Sequence, residues 1–172
     1  MDPNISFQKY AFYTLLLANA YSIKHPEWKG KVYVINGDRM KLSPNAFNRF
    51  LPSLSLWTSG RIVLQGRQTI HEIMKAHPSA CFLTHQVNNE YNYMLLEAMY
   101  CEYPVLHNSE GWSAFGYSYR TDKWPAAIDT LHRALKHHAS HLPVYRAHTA
   151  QLLWKHSIYH PDIRRRWMNL LQ

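Results

Sequence analysis

Residues 80–109, ACFLTHQVNNEYNYMLLEAMYCEYPVLHNS, constrain the fold more tightly than any other stretch. Ala80 to Thr84 is a short apolar run, the length of a buried strand. A polar cluster, His85 to Glu90, follows it, and then a helix-period segment from about Tyr91 to Tyr100, with Tyr93, Leu96 and Tyr100 on one stripe. Pro104 stops any helix, and Pro104 to His107 is again a short apolar run. Strand, polar loop, helix and strand make a βαβ unit. In such a unit the loop leaving the first strand opens onto a helix N-terminus, where free N–H groups and the helix dipole favour an anion.

The same rhythm extends to both sides. A helix is expected from about Phe7 to Ser22, capped by Asn4 or Ser6, with Tyr10, Tyr13, Leu17 and Ala20 on one face. His25-Pro26 ends it, and the β-branched run Lys31 to Asn36 is the next strand. A helix over 44–50 and then a loop lead to a strand over 61–65, closed by the turn Gly66-Arg67-Gln68. Thr69 caps a helix to about Ala76. The loop 108–119, rich in glycine and aromatics, lies at a strand's carboxyl end, where ligand contacts belong. Helices over 124–140, 143–155 and 162–171 complete the chain. The expected fold is α/β: one domain over 1–172 with a Rossmann-like, doubly wound parallel sheet, flanking helices, and helices of 141–172 packed onto it.

A chain of 172 residues with 47% apolar residues can bury a core. No window approaches eighteen uninterrupted apolar residues, and Asp2 stands where a signal peptide would be basic, so a cytoplasmic protein without a membrane span is the expectation. Cys81 and Cys101 fall in predicted core elements and read as buried free thiols. The formal charge of +8 points to anionic partners. Arg164-Arg165-Arg166 supplies much of it and reads as a solvated helix face. His137, His138 and His141 lack the context of a zinc motif, and no metal is expected. A G-x-G-x-x-G fingerprint is absent, which disfavours a nicotinamide dinucleotide.

Glu97 to Val105, EAMYCEYPV, resembles the E-A-x-x-x-G-x-P-V signature of retaining GT-B glycosyltransferases, in their carboxyl-terminal, donor-binding half. Residues 2–9 and 88–93 further resemble a family-4-like subgroup found in some viruses and bacteria, and the resemblance runs from about Pro3 to Trp154. Two positions depart from the pattern. Asn89 stands where the family has an acidic residue, with Glu90 one step out of register, and Glu102 stands where it has glycine. The first strand of the family's donor half has no counterpart ahead of residue 2.

The resemblance implies a donor domain that binds a nucleotide-diphosphate sugar for transfer to an acceptor hydroxyl, without metal or other cofactor. Glu97 would accept the ribose hydroxyls, Asn89 would contact the sugar and Lys9 would neutralise the leaving diphosphate. Asn88 and Glu90 would present the helix start to the diphosphate. Arg67, after Gly66, would meet base or phosphate. Asn4, Ser6, His85, Tyr93 and Asn108 complete the expected donor contacts. Such a domain would act with a separate acceptor-binding domain or chain, and a homodimer would cover an open sheet edge. The competing expectation, from charge alone, is a basic non-catalytic scaffold contacting nucleic acid or an anionic membrane surface, with nucleic acid ranked behind the nucleotide sugar.

Overall fold

The computed structural model describes residues 11–87 and 92–171. The expected alternation is present. Helix α1 (Ala11–Lys24) leads to β1 (Val32–Val34), and a run of short helical turns, 37–42, 46–50 and 51–53, leads to the short α2 (Ser55–Thr58). Then come β2 (Ile62–Leu64), α3 (Ile70–Ala76), β3 (Phe82–Leu83), α4 (Tyr93–Tyr100), β4 (Val105–His107) and β5 (Tyr117–Ser118). Helices α5 (Trp124–Lys136), α6 (His138–Lys155) and α7 (Pro161–Leu170) follow.

Among the described residues the strands do not join into one continuous sheet. The described strands make two parallel sheets, β1-β2 and β3-β4-β5. Val32 pairs with Ile62 in the first, and Phe82 with Val105 and Leu106 with Tyr117 in the second. Helices cover both faces. Leu83 and Leu106 join the core built by Leu15, Ala18 and Tyr21 of α1 and Ala127 and Leu131 of α5. Their strand neighbours Phe82 and Val105 join the opposite core, with Leu95 and Met99 of α4 and Tyr145 and Leu152 of α6. That alternation is the period-two pleat of strands buried on both sides.

Several boundaries move for identifiable reasons. The buried face of α1 is Ala11, Thr14, Leu15, Leu17, Ala18, Tyr21 and Ser22, which keeps the expected Leu17, while Tyr13 and Leu16 lie outward. The segment 44–50 is helical, but Ala46–Phe50 winds as a wide turn. The loop 108–119 is not left free for ligand. Trp112 and Phe115 are buried in it and Tyr117 pairs with Leu106, through Gly116 at φ +62°. The left-handed φ and the Val105 carbonyl, 3.0 Å from where a Cβ would stand, favour glycine in that turn. Helix α5 stops at Lys136, and α6 starts before Pro143 instead of at it. Helix α7 buries none of its residues, so the C-terminal packing rests on Tyr145, Thr149 and Leu152 of α6. Cys101 is exposed at the end of α4, and Cys81 is half-buried against the core, its thiol pKa pushed up to about 12 by desolvation. No helix among the described residues is long and apolar enough to cross a membrane.

Candidate functional site

The two sheets do not close on one another. Between β1 and β3 lies a cavity of about 850 Å³, within the range of small-molecule sites. Val32, Tyr33 and Ile35 line one side and Cys81, Phe82 and Leu83 the other. Ala18, Tyr21, Leu131 and Leu135 come from α1 and α5, and Ile70, Ile73, Met94 and Glu97 from α3 and α4.

Polar groups gather where β1 and β2 end. Asn36 turns the chain in the left-handed region at φ 59° and is buried, its N–H donating to the Gly66 carbonyl at 3.0 Å. A non-glycine residue held there is a strained position of the kind that collects at binding sites. Arg39, Arg67 and Gln68 line the same region. Gln68 Oε1 is buried without a hydrogen-bond partner, as is Nε2 of His77, whose ring packs on Tyr33 at 4.1 Å. Buried polar atoms left unpaired are costly unless something else meets them.

Of the residues expected from sequence, Arg67 and Glu97 come together in this cavity although thirty positions separate them. Glu97 is exposed rather than crowded, because the neighbouring Leu95, Ala98 and Met99 point to the opposite side of α4. Its carboxylate makes no ion pair among the described residues. Gly66 contributes its carbonyl to Asn36 and stays exposed, off the cavity wall. Tyr93 is 78% exposed and points away. Asn4, Ser6, Lys9, Asn88, Asn89 and Glu90 lie outside the described residues. The cap of α4 is Asn92, whose Oδ1 accepts from the Met94 N–H at 3.1 Å.

Two expected contacts have structural partners instead. His85 is buried, stacks on Tyr13 at 4.4 Å and meets the Tyr119 hydroxyl at 2.9 Å through Nδ1. That hydroxyl donates to the Thr84 carbonyl at 3.1 Å, so His85 is the donor to it. Burial pulls the imidazole pKa down to about 4, so the ring is neutral at pH 7. Asn108 clamps the ends of β3 and β4, accepting from the Gln86 N–H at 2.8 Å and donating to the Gln86 carbonyl at 2.7 Å. Beside it, Gln86 Oε1, Asn92 Nδ2 and Ser109 Oγ are buried without partners, a second polar patch at the carboxyl ends of β3 and β4.

Sequence reading missed Arg39, Gln68 and His77. Each sits in a turn or at a helix end, and only the tertiary approach of α3 to β1 gives it a role. The left-handed Asn36-Gly37 corner carried a signal, since asparagine tolerates that conformation.

A family model described as a protein of unknown function (DUF2827) matches residues 1–171. The chain belongs to the DUF2827 family. Neither a curated protein nor a solved structure gives a match to the chain. For this DUF2827 chain, any function has to be argued from the cavity. Among the described residues no group of histidine, cysteine, aspartate or glutamate side chains converges to hold a metal ion. His138 is engaged with the Tyr117 hydroxyl at 3.0 Å and the Glu102 carbonyl at 2.8 Å.

Proposed function

We propose that this protein binds a nucleotide-activated sugar at the carboxyl end of the cavity, as the donor-binding part of a metal-independent glycosyltransferase. The observation that supports the reading is that Arg67, beyond the carboxyl end of β2, and Glu97 of α4 line one cavity. In this reading the two sheets are flanks of one doubly wound sheet, ordered β2-β1 and β3-β4-β5, and ligands of such sheets sit outside the carboxyl ends where the winding reverses.

The chemistry follows from residue type. Guanidinium groups of Arg39 and Arg67 offer forked donors to a diphosphate and stabilise the charge it gains on leaving. The Glu97 carboxylate accepts from two vicinal hydroxyls at once, as a ribose presents them. Gln68 Oε1 is an unmet acceptor for a nucleobase N–H. Binding alone is not transfer: positioning an acceptor and excluding water need a second wall over the exposed Arg67 and Glu97.

Calorimetric titration with UDP, GDP and their sugars tests the reading. One nucleotide should bind in the micromolar to millimolar range, and both Glu97→Gln and Arg67→Ala should weaken it at least about tenfold, the loss of a charge-assisted contact. Absence of binding to every nucleotide overturns it. The basic helix α7, with Arg164, Arg165 and Arg166 beside the exposed Trp167, would then be the remaining candidate for an anionic partner.

A further inference from the structure

We propose that helix α7 and the turn before it dock flat on an anionic lipid bilayer. The helix has a defined start, with Pro161 in its first turn and His160 Nδ1 accepting from the Asp162 N–H at 3.3 Å. It is 10 residues long and buries none of them. A helix that short is marginal in water unless its apolar face packs against something. Ile163, Trp167, Leu170 and Leu171 recur at the i, i+4, i+7, i+8 spacing of one helix face. Ile163 is half-buried, but Trp167 is 57% exposed and Leu170 and Leu171 are each 77% exposed.

The charges are arranged around that face. At about 3.6 residues per turn, Arg164 and Arg166 fall about 80° to either side of its centre, and Arg165 falls on the back. Arg165 is held there by an ion pair with Asp162, the only acidic residue in 151–172. An apolar stripe with a basic edge on each side is the pattern of a helix lying in a bilayer interface. Its apolar side chains enter the acyl boundary while its arginines reach back to headgroup phosphates. The preceding turn extends the surface. Ile158 and Tyr159 are exposed, and the half-exposed Trp154 ring lies 5.7 Å from the ring of His160. Tryptophan and tyrosine suit the headgroup level, being apolar in body and polar at the tip.

Charge and apolar area together choose the occupant. Nucleic acid would use the arginines but leave Ile158, Leu170 and Leu171 in water. A second copy would set the same arginine borders against these, like charge facing like charge, with +8 on each chain. A bilayer rich in anionic lipid meets the apolar stripe and both basic borders at once, and it attracts the chain's excess positive charge. The cavity plays no part in such docking, and nucleotide binding is independent of it.

Sedimentation of the full chain with vesicles tests the docking, using phosphatidylcholine alone and phosphatidylcholine with about one-third phosphatidylglycerol, and no nucleotide. The chain should partition onto the anionic vesicles at least about tenfold more strongly than onto the neutral ones, and added salt should weaken the binding. Arg164→Gln combined with Arg166→Gln should lower the partition at least about tenfold, since each arginine near an anionic surface is worth about fivefold. Leu170→Ser combined with Leu171→Ser should lower it to a similar extent at unchanged charge. All four side chains are exposed, so both variants should keep the circular dichroism of the parent. No partition onto the anionic vesicles overturns the proposal. So does full retention of the leucine variant, which would mean adsorption by net charge alone. Full retention of the arginine variant would place the contact elsewhere on the chain and also overturns it. A concentration-dependent dimer in lipid-free solution, abolished by the leucine variant, would assign the face to a second copy, with the same consequence.

Discussion

His85 illustrates how burial redirects a residue that sequence marks as chemical. At a strand's carboxyl end it has the address of a ligand contact, yet it stacks on Tyr13 and donates to Tyr119 inside the core. Its cost is electrostatic: a charged imidazole there would lose its water, so the folded pKa falls from 6.5 to about 4. The sign of the consequence is fixed. Above the unfolded value near 6.5 both states are neutral and the contribution is fully present. Between 6.5 and 4 the unfolded chain takes up a proton that the folded chain refuses, so stability falls with acidity and levels off below 4. His107, fully buried and donating to the Phe115 carbonyl at 2.7 Å, is also lowered by desolvation and adds with the same sign. Urea midpoints measured from pH 7.5 to 4.5 should fall, with His85 accounting for on the order of 2 kcal/mol. In His85→Gln, whose side chain cannot protonate, the pH 7 value should drop through lost packing while the slope between pH 6.5 and 4.5 becomes shallower. An unchanged slope would contradict the assignment.

At the level of elements, the end of α4 shows a departure from the family pattern absorbed by local structure. The Tyr103 N–H donates to the Ala98 carbonyl at 3.0 Å and the Glu102 N–H to Met99 at 2.9 Å, the paired bonds of a Schellman motif. That motif places its C′ residue in the left-handed region, and Glu102 is there at φ 62°. This is the position where the resembling transferases have glycine, so the sequence already signalled a turn, although not which bonds would hold a glutamate in it. Three contacts do so: a two-point pair with Arg146, with one distance of 2.8 Å, and His138 Nε2, which donates to the Glu102 carbonyl at 2.8 Å. The Arg146 pair is exposed and worth little. Left-handed backbone costs a residue with a Cβ about 1–2 kcal/mol relative to glycine. Glu102→Gly should therefore raise the thermal midpoint, by about 2–4 °C for a chain of this length. Differential scanning calorimetry decides it, and a fall in the midpoint would give the Arg146 pair the larger share.

For the molecule as a whole, the α/β alternation was legible because each element writes its own period into the sequence: β-branched runs at 32–34 and 62–64, and a capping box of Thr69 with Glu72 at α3. Lateral order was not legible, because pairing joins residues far apart in sequence, Val32 with Ile62 and Phe82 with Val105, and a two-residue strand such as β5 carries almost no pattern. Nor was the separation into two sheets, which depends on what does or does not lie between β1 and β3. Their joint stability is a different matter. Val34 of β1 and Leu83 and Leu106 of β3 and β4 belong to one apolar cluster, bridged by Leu15 and Tyr21 of α1 and Leu131 of α5. A cluster shared through two helices couples the sheets more strongly than backbone bonds across the cavity would have to. Val34→Ala and Leu83→Ala should each cost about 2–4 kcal/mol, within the range for buried aliphatic truncations. Both should shift one common urea transition followed by far-ultraviolet circular dichroism and by tryptophan fluorescence, with coincident curves and unchanged slope. If the sheets were held independently, Val34→Ala would instead split the transition, melting β1-β2 first and leaving β3-β4-β5 at its original midpoint.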